Sequence, residues 1–85
     1  MMSSLSRQLY DMIVSYPEDQ LDFTKATHFF WIWYWLFVNQ PPTVLNDQLA
    51  FIESRLEQGP LKANHMLQLA WKAEALEKLL HLQRD

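Results

Sequence analysis

Apolar residues recur along the chain at helical spacing, and prolines and a single glycine divide them into four stretches. In the first, Leu5, Leu9, Met12, Ile13 and Tyr16 share one face, and Ser3 and Ser4 stand where amide caps belong. Tyr16-Pro17 closes this stretch, because a residue before proline is pushed out of the α region. After the connector Glu18-Asp19-Gln20, the second stretch opens with Asp22 as cap and ends at Asn39, ahead of Pro41-Pro42. The third takes Thr43 as cap and repeats Leu45, Leu49, Ile52 and Leu56 at 4-3-4 spacing, then stops at Gly59 in a left-handed conformation. Asn46, Asp47, Glu53 and Glu57 make it an ordinary surface helix, with Phe51 the apolar exception. Pro60 opens the fourth, where Met66, Leu69, Ala73, Leu76 and Leu80 form a seam flanked by Lys72, Glu77 and Lys78. The pattern predicts an all-α, compact four-helix bundle with helices near 3–16, 22–39, 43–58 and 60–82, in one domain spanning 1–85. Short connections place successive helices side by side.

The second helix departs from this amphipathic scheme. On a helical wheel, Ala26, Phe30, Trp33 and Phe37 line one stripe with Phe23 and Tyr34 at its edge, which is a core face. The opposite side starts with Thr24, Lys25 and His28 and then runs into Trp31, Ile32 and Trp35. A helix apolar all round has to be surrounded, and three partners of this length provide little material for that. Two outcomes are open: the first helix and the termini cover the surplus side chains, or a second protein does. Two indoles represent roughly 8 to 12 kcal/mol of gross burial, which favours the second outcome. Trp71, with Leu67 and Leu82, lies off the main seam of the fourth helix and is either a lid on the core edge or a further contact. Thr24, His28, Trp31, Ile32, Trp35 and Trp71 are therefore the candidate protein-interaction residues.

Composition narrows the function classes. A chain of 85 residues is near the lower limit for a self-sufficient core, and without cysteine neither a disulfide nor a thiolate metal site reinforces it. The lack of cysteine suits a reducing, cytoplasmic setting, and MMSSLSRQLYDMIV has neither the basic start nor the apolar run of a secretory signal. Phe29 to Val38, the most apolar run, falls well short of the roughly 20 residues of a membrane span. An interfacial membrane helix has only Lys25 to draw it to anionic lipid, so a membrane role is disfavoured.

Residues that could carry chemistry do not assemble into a site. No two of His28, His65 and His81 have the i, i+3 or i+4 spacing of paired zinc ligands, so no metal is expected. Glu18-Asp19, Glu53-Glu57 and Glu74-Glu77 read as solvated pairs, the serines as caps or polar-face residues, and one glycine rules out a phosphate-cradling loop. No enzymatic activity and no cofactor are expected. The net charge of −3 with scattered Lys and Arg disfavours nucleic acid. The Gln58-Gly59-Pro60 junction resembles the turn of a helix-turn-helix, but its second helix starts with one lysine and carries Glu74 and Glu77. The expectation is a small non-enzymatic binding module, accessory, adaptor or inhibitor, acting through the aromatic helix face on another protein and self-associating. A purely structural homo-oligomer is the alternative, with weak helix-turn-helix DNA binding behind it.

Overall fold

The computed structural model describes residues 5–17, 23–59 and 61–83, with the side chains of 23–26 and 83 outside that description. Four helices follow in order: α1 (Leu5–Ile13), α2 (Phe23–Phe37), α3 (Pro42–Glu57) and α4 (Ala63–Gln83). They form the expected all-α bundle, without strands among the described residues. The expected caps at Ser3, Ser4 and Asp22, the connector 18–20 and Pro60 lie outside the described residues.

The bundle is organised around its last helix. α1, α2 and α3 each pack principally on α4, so consecutive helices meet through this hub more than through one another. The buried residues Met66, Leu67, Ala70, Lys72, Ala73, Ala75, Leu76 and Leu79 point to every side of the helical wheel. The one-sided seam expected for α4 is therefore incomplete: Leu67, Ala70 and Leu79 are buried, while Leu69 and Leu80 are only half-buried. Small side chains explain the difference, since Ala70, Ala73 and Ala75 let neighbouring backbones approach where larger residues would hold them off. The central helix is α4, with buried residues on every side along its middle, and α2, the most apolar, lies on its flank. Among its described residues α2 contributes no fully buried side chain; Tyr34 and Phe37, with Val38 just beyond the helix, are half-buried against the core.

α1 adds Leu5, Leu9 and Ile13 to the core, and α3 adds Leu45 and Ile52. Met12, expected inward, is 43% exposed. α1 stops before Tyr16 because its last turn tightens: Ser15 N–H donates to Met12 O and Tyr16 N–H to Ile13 O, both three residues back. The Ser15 hydroxyl also donates to Met12 O at 2.6 Å, and the Tyr16 hydroxyl crosses to Leu61 O at 2.7 Å. At the other end of α1, the Ser6 N–H donates to a Glu77 carboxylate oxygen at 2.8 Å. A side chain of α4 thus caps α1, meeting the positive end of its dipole with a negative charge.

α3 begins one residue earlier than expected. Extended Pro41 (φ −70°, ψ 159°) is the cap and Pro42 takes the first helical position, where a missing N–H costs nothing; Thr43 is already inside the helix. Gly59 adopts φ +129°, the reversal expected of a glycine after a helix. α4 then starts at Ala63 and not at 60, with Lys62 O accepting from Met66 N–H, while Leu61 O is engaged by Tyr16.

Urea denaturation of three variants tests this arrangement. Ala73→Leu at the hub forces the packed helices apart and is expected to cost about 1–3 kcal/mol, whereas Phe51→Ser on the exposed side of α3 stays within about 0.5 kcal/mol. Glu77→Ala removes the cap on α1 and is expected to cost about 1.5 kcal/mol.

Candidate functional site

The surface that distinguishes this molecule is the outward side of α2. The half-buried set Phe30, Trp33, Tyr34 and Phe37 faces the bundle, and the 100° advance per residue carries His28, Trp31, Ile32, Trp35 and Leu36 to the other side. All five are exposed, the apolar four at 55% (Trp31), 51% (Ile32), 69% (Trp35) and 59% (Leu36). Neither α1 nor α4 encloses the two indoles. Thr24 belongs to the first turn of α2, and its side chain lies outside the described residues. Leu36 was missed in the sequence reading, although its wheel position beside Ile32 marks it as a member of the same face.

Trp71 has a different place from the other candidates. Its ring is half-buried where α1, α2 and α4 meet, edge-on to Tyr10 at 5.8 Å and to Phe30 at 6.1 Å, away from the outward side of α2. It closes the core edge. Burial and then the nearby Glu74 carboxylate push the Tyr10 phenol above its ordinary value, consistent with a closed junction.

Internal contacts hold the exposed rings in place. Tyr34 stacks on Phe30 at 5.9 Å and meets Trp31 and Trp35 edge-on at 5.9 and 6.0 Å, one ring supporting both indoles. Phe30 adds a T-shaped contact to Trp31 at 5.2 Å. Rings fixed in this way lose little rotamer freedom when something covers them. The face is also free of formal charge: from 26 to 46 the chain has no Asp, Glu, Lys or Arg.

Beneath this face lies a buried cation that was not evident from sequence, where Lys72 flanks the apolar seam. Lys72 is 9% exposed, with its ammonium 4.5 Å from the centre of the Trp33 ring and 5.8 Å from that of Phe37. Trp33 and Phe37 stack on each other at 6.1 Å, so the cation binds a paired aromatic surface of α2 to α4. Burial pulls the ammonium below its ordinary value. The indole N–H groups of Trp33 and Trp71 are buried and unpartnered among the described residues.

Two other features have less to offer. A groove of about 280 Å³ between Met12, Tyr16, Leu56, Leu61 and Met66 is smaller than common ligand pockets, and its Ser15 and Tyr16 hydroxyls already donate to backbone carbonyls. Among the described residues no three His, Asp or Glu gather as a metal site, and no helix is long and apolar enough to cross a membrane. Comparison with known protein families, characterised proteins and solved structures gives no match.

Lys72 provides a test of how α2 is held. Lys72→Ala removes stem packing and the cation–π contact and is expected to cost about 2 kcal/mol in chemical denaturation, with Lys72→Met recovering most of it. The unfolded chain holds this proton more tightly than the folded one. Stability therefore rises as pH climbs from the lowered folded value through 10.5, and Lys72→Met abolishes that rise.

Proposed function

We propose that this chain is a small non-enzymatic protein-binding module whose working surface is the outward face of α2. The observation that carries this reading is the exposure of Trp31 and Trp35 on a support built from Tyr34 and Phe30. Large apolar side chains clustered in water invite non-specific association, and tryptophan is enriched where interfaces concentrate their binding energy. A core-filling role does not account for rings on the outside of the helix. The role is accessory, bringing proteins together without making or breaking bonds.

The helix-turn-helix reading gains no support from the bundle. Its recognition helix would be α4, which has buried residues on all sides and shows only Lys62, Asn64 and His65 to solvent near its start.

The test places a photoreactive benzophenone amino acid at position 36 and reads covalent capture of protein, with and without Trp31→Ser and Trp35→Ser combined. The double variant is expected to keep its helical circular dichroism and lose capture by roughly tenfold or more, as for a hot-spot pair. Unfolding of that variant would return the rings to the core, and undiminished capture would place the working surface elsewhere.

A further inference from the structure

We infer that the occupant of the α2 face is a second copy of this chain, packed antiparallel across a two-fold axis; the inference rests on the docking reading above. The first argument is register. Within α2, exposed residues His28, Ile32 and Trp35 follow one another at 4-3 spacing, the repeat of a seam between two helices. Reversing the helix about the point midway between Ile32 and Trp35 sets Ile32 against Trp35 of the copy, twice. Two central layers thus pair an indole with an aliphatic side chain. Trp31 and Leu36 border the seam on opposite sides. A large and a smaller apolar side chain placed to meet in this way suit an isologous contact, in which each patch must complement itself.

Charge points the same way. A two-fold axis lays the patch against itself, so a patch of one charge would repel its copy, and the run from 26 to 46 holds no charged residue. A heterologous partner selected by charge would find nothing here to read. Area is sufficient as well: at their observed exposures the two indoles, Ile32 and Leu36 offer roughly 500 Å² per chain. Complete cover of these side chains in both copies removes about 1,000 Å², the size at which specific contacts begin.

The experiment uses two charge variants of the full chain, Ile32→Glu and Trp35→Lys, examined by sedimentation equilibrium separately and mixed. The wild type is expected to be a dimer at tens of micromolar, each variant alone a monomer, and the equimolar mixture a dimer again. In the mixture the carboxylate introduced into one chain meets the ammonium introduced into the other, while the second central layer stays native. A wild type that remains monomeric, or a mixture that fails to recover the dimer, overturns the inference. The adduct mass at position 36 separates this failure from that of the docking reading. An adduct of twice the chain mass supports the copy. A different protein mass, or capture of the chain by neutral phosphatidylcholine vesicles, overturns the copy, and no protein adduct overturns both.

Discussion

One helix has to serve as the packing surface for the other three, and α4 is that helix. Its alanines at 70, 73 and 75 are fully buried, and their small volume lets three other helices reach the same axis. With the centre occupied, each of the other helices has one inward side and one outward side. For α1 and α3 the outward side is mostly polar, as at Gln8, Asp11, Glu53 and Glu57. For α2 it is Trp31, Ile32, Trp35 and Leu36, and the need to bury α4 leaves none of the described residues to cover them.

The connection between core and surface runs through aromatic rings. Trp71 of α4 touches Phe30, Phe30 stacks with Tyr34, and Tyr34 supports both exposed indoles. One turn further along, the Lys72 ammonium lies over Trp33 and Phe37. The lysine's position reflects a balance of terms: its stem packs and its charge gains from two ring faces, while desolvation works against the charged form.

Much of this was legible in the residues. Proline and glycine marked the helix junctions, and helical periodicity placed Leu5, Leu9, Ile13, Leu45 and Ile52 inward and Trp31, Ile32 and Trp35 outward, as observed. The identity of the central helix was not legible, because hydrophobicity points to α2 whereas the centre of a bundle is determined by how small its side chains are. The roles of Lys72, a flank of the seam, and of Glu77, one of a solvated pair in the pattern, were hidden for a related reason: a charged residue on a wheel looks exposed until its partner is known. Their partners, an aromatic pair on α2 and the first turn of α1, lie far away in sequence.

The hub position of α4 has a consequence for biosynthesis. Residues 63–83 leave the ribosome after the three helices that depend on them, so α1 and α3 lack their main packing surface and α2 trails its indoles unpaired during that interval. The link from Glu77 to Ser6 spans 71 positions, and such distant closure can form only once α4 has emerged. Native assembly of the first three helices therefore waits on the fourth, and the nascent form that precedes it is the species most exposed to chaperones and to premature aggregation.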